Sequence, residues 1–303
     1  MTTTRHFLSL TDLSLGEARR VLDRARALKA EPKGTRAATL GGRSVAILME
    51  KASTRTRVSF EVGVAQLGAH PVVLGPQGSQ LGRGEPIRDT ARVLARYCDL
   101  IVYRTSAASR LREMTTGGVP VINALSDDGH PVQVLCDVFT IEEALGRPIA
   151  GTRVAWIGDG ASNMARSFVE AAALFGFDLV IASPEGYRPP AEELARAGGH
   201  VTVTHDPRAA IAGAAVVNTD VWTSMGQEDE NAQRMRAFEG WTLDEAMLAG
   251  ASAGAIVLHC LPAHRGEEIS DGVIEGERSR VWDQAENRLH VQKALMLFLL
   301  GAG

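Results

Sequence analysis

Short apolar runs that alternate with segments of helical period constrain this chain more tightly than any other feature of its sequence. The runs are Ser44–Met49, Pro71–Leu74, Asp99–Tyr103, Val119–Ile122, Arg153–Ile157, Asp178–Ala182, His200–Thr204, Ala215–Asn218, Ala255–His259 and Arg280–Trp282. Helical spacing fills Thr54–Leu67, Pro86–Tyr97, Val132–Leu145, Ser162–Phe175 and Asp244–Ala249. Near-continuous apolar strands such as Leu100-Ile-Val-Tyr103 must be covered on both faces, because a strand with one wet face alternates. Strand–helix alternation along the whole length requires parallel sheets with right-handed crossovers. The predicted fold is therefore α/β, with two doubly wound parallel-sheet domains linked by long helices, the C-terminal one crossing back to the first domain.

The boundary is read at Leu145-Gly-Arg-Pro-Ile-Ala-Gly151, where a helix end meets Gly and Pro punctuation. It separates residues 1–147, with helix 284–303 packing back on them, from residues 148–283. A length of 303 residues also exceeds one ordinary hydrophobic core. The N-terminal helix is expected over Asp12–Lys29 with Thr11 as its cap, and the last over Gln284–Leu300. Two segments read as long loops: Gly75–Gly84, with four glycines and a proline, and the polar stretch Thr223–Glu239. Loops of this length in compact α/β units are usually functional, so both are candidates for closing over a substrate.

Composition removes several classes. With 32 Lys+Arg against 36 Asp+Glu, the net charge of −4 argues against nucleic acid or an anionic membrane as partner. Cys98, Cys136 and Cys260 are too few for a disulfide framework, which favours a reducing compartment. The start MTTTRHFLSLTDLS has no apolar signal core, and the longest apolar stretch, Ala294–Leu300, is too short to span a bilayer. A soluble, cytoplasmic, two-domain globular protein is the expectation.

Glu50-Lys-Ala-Ser-Thr-Arg-Thr-Arg57 joins a strand to a helix. Ser53, Thr54 and Thr56 supply hydroxyls, and Arg55 and Arg57 supply guanidinium forks, where a helix presents unpaired N–H groups. Such a helix start attracts phosphate, and arginine adds charge-assisted hydrogen bonds to its oxygens. A capped helix with two solvated arginines is the plainer alternative, but a cap uses one hydroxyl, not three. The spacing is not that of a Walker loop. Arg104 ends a strand, and ligands bind at that edge of open α/β sheets. His130-Pro-Val-Gln133 precedes a helix with Pro131 at its first position. His130 alone would read as a satisfied histidine at a domain junction; with Arg104 and the Ser53 junction it reads as convergent.

In the second half, Gly158-Asp-Gly-Ala-Ser-Asn163 comes near the dinucleotide fingerprint G-x-G-x-x-G, which would make an NAD-dependent oxidoreductase. Asn163 is too large for the third glycine, and no acid ends the next strand. The turn can instead expose Asn163 to a small ligand. Asp220-Val-Trp-Thr-Ser-Met-Gly226 offers a carboxylate beside a hydroxyl and a thioether, suited to a cationic amine; a turn-forming Asp with a packed Trp222 is the alternative. In His259-Cys-Leu-Pro-Ala-His-Arg265, residue types alone allow zinc at His259, Cys260 and His264, but the paired ligand spacing is missing, and no metal is expected. Arg288 taken singly would be a solvated charge.

Taken in order, Ser53–Arg57 (S-T-R-T-R), His130–Gln133 (H-P-x-Q), Asp220–Gly226 (D-x-W-x-S-M-G), His259–Pro262 (H-C-L-P) and Asp283–Arg288 (D-x-A-E-N-R) resemble the aspartate/ornithine carbamoyltransferase family, and within it the ornithine branch. The resemblance runs nearly end to end. It implies transfer of the carbamoyl group of carbamoyl phosphate to the δ-amine of L-ornithine, without cofactor or metal. It further implies that Ser53, Thr54, Arg55 and Thr56 bind the phosphate and that Arg104, His130 and Gln133 contact the carbamoyl end. Cys260, Leu261 and Arg288 would complete that pocket. Asn163, Asp220, Ser224 and Met225 would grip ornithine, and Arg55, Arg104, His130, Asp220 and Cys260 would carry the catalysis. Gln80 resembles a residue that family members insert into a neighbouring subunit's site, which implies a homotrimer or a larger assembly. Gly129 and Ala107-Ala108-Ser109 depart from the pattern common in relatives.

Overall fold

The computed structural model describes residues 4–32, 38–75, 84–223 and 228–302. The chain forms two compact units, Met1–Cys136 with Glu286–Gly303, and Asp137–Ala285.

The first unit begins with a 3-10 turn, Leu10–Asp12, capped by Ser9. Helix α1 follows over Leu15–Ala30. Its start lies three residues beyond the expected Asp12, because Ser14 and Glu17 form a reciprocal capping box that Thr11 does not. Then come β1 (Ser44–Met49), α2 (Thr54–Gln66), β2 (His70–Leu74), α3 (Ile87–Leu94), β3 (Leu100–Arg104), α4 (Ala108–Met114), β4 (Val121–Leu125) and α5 (Pro131–Leu145). The four strands are all parallel in the order β2-β1-β3-β4. Ala46, Leu48, Ile101 and Tyr103 pack on one face against Ile87, Ala91 and Leu94 of α3 and Leu111 and Met114 of α4. The alternate residues Val45, Ile47, Leu100 and Val102 are also fully buried, as strands covered on both faces must be.

The second unit holds β5 (Arg153–Ile157), α6 (Asn163–Phe175), β6 (Asp178–Ala182), α7 (Ala191–Arg196), β7 (Val201–Thr204), α8 (Pro207–Ile211), β8 (Val216–Thr219), α9 (Asn231–Ala237), α10 (Glu245–Leu248), β9 (Ile256–His259) and α11 (Asp271–Glu275). Its parallel sheet runs β7-β6-β5-β8-β9. Helix α12 (Val281–Leu299) starts in this unit and continues from Glu286 onward in the first. No described helix is long and apolar enough to cross a membrane.

Two further expectations are corrected. Arg280–Trp282 is not a sixth strand of the second sheet. The chain touches β9 briefly, through Val257 N to the Arg278 carbonyl and Arg280 N to the Val257 carbonyl at 2.9 Å each, and then turns into α12, with Gln284 N already bonded to the Arg280 carbonyl at 2.8 Å. The polar stretch Thr223–Glu239 is not wholly a loop, since it holds a 3-10 turn at Glu228–Glu230 and helix α9.

Strand order fixes where ligands can bind. In the first sheet the chain moves outward from β1 to β2 and then returns to the other side as β3, so the switch point lies between the carboxyl ends of β1 and β3. In the second sheet the corresponding point lies between β5 and β8. At these points the flanking crossovers leave in opposite directions and open a crevice.

Candidate active site

At the first switch point, β1 delivers the chain to Ser53, the N-cap of α2. Ser53 Oγ accepts from Thr56 N at 3.4 Å and donates to Thr56 Oγ1 at 3.1 Å. Thr56 is fully buried, and its hydroxyl also accepts from Arg288 Nη2 of α12 at 2.9 Å. Arg288, unremarkable when read singly, is thus a buried residue of this helix mouth. Arg55 is half-buried, and its Nε is enclosed without any acceptor among the described residues. An enclosed guanidinium N–H without a protein acceptor is able to donate to a ligand oxygen. Thr54 is exposed. Arg57 is exposed and pairs with Glu61 at 3.4 Å one helical turn on, so the plainer solvated reading is correct for it.

Arg104 ends β3 and is buried; its carbonyl accepts from Glu50 N at 2.9 Å. His130, at the start of α5, and Gln133, in its first turn, are buried too. Burial, and then the positive charges of Arg288 and Arg104, hold the His130 imidazole well below its ordinary range, so it is neutral. A neutral ring can donate one N–H without adding a third cation to the two guanidiniums. The unit therefore brings Ser53, Arg55, Thr56, Arg104, His130, Gln133 and Arg288 to one sheet edge.

The buried neutral His130 has a consequence for stability. A histidine whose folded pKa lies below its unfolded value of about 6.5 contributes fully above that pH and is lost as pH falls through it. One differential proton gives a slope of roughly 1 kcal/mol per pH unit. The melting temperature should therefore fall more steeply between pH 7 and pH 5 in the parent than in His130→Asn, by differential scanning fluorimetry. Equal slopes would show that His130 is not the buried proton acceptor.

At the second switch point, β5 leads into Gly158–Ser162 and β8 into Asp220. Ser162 caps α6 and Asn163 is its first residue, half-buried. The two glycines of this turn serve the backbone: Gly158 takes a φ of +138°, which side chains rarely adopt, and Gly160 serves packing. A Cβ on Gly160 would stand 2.9 Å from both Pro189 Cδ and the Tyr187 carbonyl, while Asp159 is engaged by Arg234 at 2.7 Å. That accounts for the near-match to a dinucleotide fingerprint without a dinucleotide.

Asp220 is buried and accepts on Oδ1 from Val221 N at 2.9 Å and from the Cys260 thiol at 3.2 Å. No described residue donates to Oδ2. Burial raises the Asp220 pKa, against the pull of His259, the Val221 N–H and the Cys260 thiol. His259 does not stand open as a metal ligand. Its Nδ1 accepts from Leu261 N and its Nε2 donates to Glu268, both at 2.9 Å. Glu268 is itself fully buried and also accepts from His264 N at 2.7 Å. The pair pins Leu261, whose φ of +59° is costly for a residue with a branched side chain. Gln80, Ser224 and Met225 lie outside the described residues.

Sequence reasoning missed two groups here. Arg234 was hidden in the supposed loop; it donates to Asp159 and, at 3.0 Å, to the Trp222 carbonyl, bracing the chain just after Asp220. Glu268 was one of a Glu-Glu pair with no visible partner. An arginine at helical spacing from Glu230 was the available signal for the first; none marked the second.

Two parallel α/β sheets, each gathering its buried polar groups at the carboxyl edge of its switch point, define a two-domain α/β protein built to bind small ligands at both edges. Sequence models of the aspartate/ornithine carbamoyltransferases match residues 5–143 as the carbamoyl-P binding domain and residues 150–299 as the Asp/Orn binding domain. The chain belongs to the aspartate/ornithine carbamoyltransferase family. It is 68% identical over 304 residues to an ornithine carbamoyltransferase of Sorangium cellulosum, covering 98% of each chain. It is 54% identical to one of Pelobacter propionicus, covering 98% of this chain and 99% of the relative. Among solved structures, the ornithine carbamoyltransferase from Pyrococcus furiosus superposes with a TM-score of 0.92 at 43% identity, over 99% of this chain and 98% of that one.

Proposed function

We propose that this chain transfers the carbamoyl group of carbamoyl phosphate to the δ-amine of L-ornithine, giving L-citrulline and phosphate. The observation that carries the reading is the α2 mouth, where a capped helix start, an Arg55 Nε enclosed without an acceptor and the buried Arg104, His130 and Arg288 form a ready anion site. Ser53, Thr54, Arg55 and Thr56 hold the phosphate, while Arg104, His130 and Gln133 hold the carbamoyl end, with Cys260, Leu261 and Arg288 completing the set. In this reading residues 1–147 with 284–303 take carbamoyl phosphate and residues 148–283 take ornithine, as the descriptions of the two matched domains support.

Asp220 Oδ2 accepts the ornithine ammonium and draws its proton, with Cys260 fixing the carboxylate through Oδ1; Asn163, Ser224 and Met225 hold the rest of the amino acid. The freed amine attacks the carbamoyl carbon, the new C–N bond forms, the bond from that carbon to the phosphate oxygen breaks, and the second amine proton leaves with the phosphate. Charge growing on the carbamoyl oxygen is met by Arg104 and the His130 N–H, and the leaving phosphate by Arg55 and the α2 N–H groups. Holding amine and carbonyl in contact contributes on the order of several kcal/mol. No side chain becomes covalently linked. The same reading takes the enzyme to be cytoplasmic, to serve arginine biosynthesis, and to work as a homotrimer in which Gln80 reaches a neighbouring copy's site.

An acceptor screen at fixed carbamoyl phosphate tests it. Citrulline should form from ornithine, with putrescine and N-acetylornithine inert. Turnover of either of those without turnover of ornithine would move the acceptor assignment.

A further inference from the structure

Glu50 ends the run from β1 into the phosphate-binding helix, and its carboxylate is gripped from three sides. Tyr103 Oη donates to Oε1, and Thr105 Oγ1 donates to Oε2 at 2.6 Å. Arg110 of α4 donates from Nη2 and, at 3.1 and 3.2 Å, from Nε, which also reaches Thr105 Oγ1 at 3.1 Å. Burial would raise the Glu50 pKa, but the hydrogen bonds from Arg110, Thr105 and Tyr103 outweigh it and keep the group ionised. The backbone is tied in as well, with Glu50 N on the Arg104 carbonyl. Neighbouring links extend the brace. Lys51 pairs with Asp127 at 3.2 Å, and Ala108 N donates to Asp128 at 3.0 Å. The Glu50 carboxylate thus joins the junctions carrying Ser53–Thr56 and Arg104, and the Lys51–Asp127 and Ala108–Asp128 links tie in the junction that carries His130.

We infer that Arg110 is a positioning residue for the phosphate-binding helix mouth: by pairing with Glu50 it fixes the Glu50–Ser53 segment, and so the Ser53 cap and the α2 N–H groups, against Arg104. Two effects follow from its removal. The segment loses its strongest anchor, since charge-assisted bonds from a guanidinium fork exceed neutral ones. An unneutralised carboxylate is also left three residues from a site that must accept an anion, and at short range like charges repel. Neither effect removes a group that touches the ligand. Anion binding should therefore weaken, while the affinity for the amine and the rate at saturating carbamoyl phosphate change little.

The inference rests on the proposed phosphate site, and the experiment separates the two. Inorganic phosphate binding is measured by titration calorimetry on the parent, Arg55→Ala, Arg110→Met and Arg110→Lys, together with steady-state kinetics. If the parent binds phosphate no more tightly than Arg55→Ala, the site assignment fails. If it does bind more tightly, Arg110→Met judges the inference. Its phosphate dissociation constant and its KM for carbamoyl phosphate should rise about tenfold, with KM for ornithine and kcat within about twofold. Arg110→Lys, which keeps the charge without the fork, should recover part of that loss, to about threefold above the parent. An unchanged dissociation constant, or a kcat loss without one, overturns it. Should Arg110→Met not fold, Thr105→Val, which removes a single bond to Glu50, should raise the constant about threefold, and no change there overturns the inference equally.

Discussion

Arg55→Ala will keep its fold and lose on the order of 10³-fold in kcat/KM for carbamoyl phosphate. The two halves of that expectation have the same origin. Arg55 is the second residue of α2, and among the described residues its guanidinium makes no hydrogen bond or ion pair, with Nε enclosed and unsatisfied. A side chain without internal partners contributes little to stability, and removing a buried donor that has no acceptor relieves a desolvation cost. The melting temperature should therefore stay within a degree or two of the parent. In the transition state the same donor meets an oxygen that gains charge as the phosphate leaves. Losing one preorganised donor of that kind costs roughly 10²- to 10³-fold, and losing a cation with it sits at the upper end. Arg57→Ala is the internal control: exposed and, among the described residues, paired only with Glu61, it should change the rate less than about threefold. Equally small losses in both variants would place the phosphate away from the α2 mouth.

The sequence is legible where burial leaves no choice. Strands such as Arg153–Ile157 and Asp178–Ala182 are predicted to the residue because a sheet covered on both faces must be apolar throughout, and polar residues can fall only at its ends. The same logic exposes the sites, since a polar residue immediately after such a strand sits at the carboxyl edge; Arg104 and Asp220 are both found this way. Arg280–Trp282 misleads because two apolar residues after an arginine suit a strand as well as a first helical turn, and only the spacing over the next three turns decides. Short helices such as Pro207–Ile211 and Asp271–Glu275 span too few residues to show a period at all. What stays hidden in the candidate site is who touches whom. Glu50 and Arg110 are 60 residues apart, Asp159 and Arg234 are 75 apart, and Thr56 and Arg288 are 232 apart. Topology makes these pairs, and no local pattern announces them. The roles of Arg288 and Glu268 follow from their burial alone, which a charged residue type gives no reason to expect.

Asp220→Asn should lose on the order of 10³-fold in turnover with ornithine, bind phosphate as the parent does, and melt at a higher temperature. Asparagine keeps the size and one acceptor oxygen of the carboxylate but can neither hold an ammonium by charge nor take its proton. General-base and charge-pairing contributions together are worth roughly 10²- to 10⁴-fold. Phosphate binding should be untouched because every group assigned to the phosphate itself lies at the other sheet's edge. The stability gain follows from the raised pKa. Burial favours the protonated acid in the folded state, so the contribution of Asp220 to stability is fully present below its unfolded value of about 4 and is lost as pH rises through the folded one. At neutral pH the parent has therefore lost that contribution, and the neutral amide does not titrate and keeps it, worth a rise of about 2 °C for a chain of this size. Below pH 4 both proteins hold a neutral group and the difference should close. Cys260→Ser separates position from chemistry. A hydroxyl can still donate to Asp220 Oδ1, so a loss of only about tenfold is expected. If Asp220→Asn instead melts earlier and keeps its rate, the carboxylate is a structural turn residue and the amine is held elsewhere.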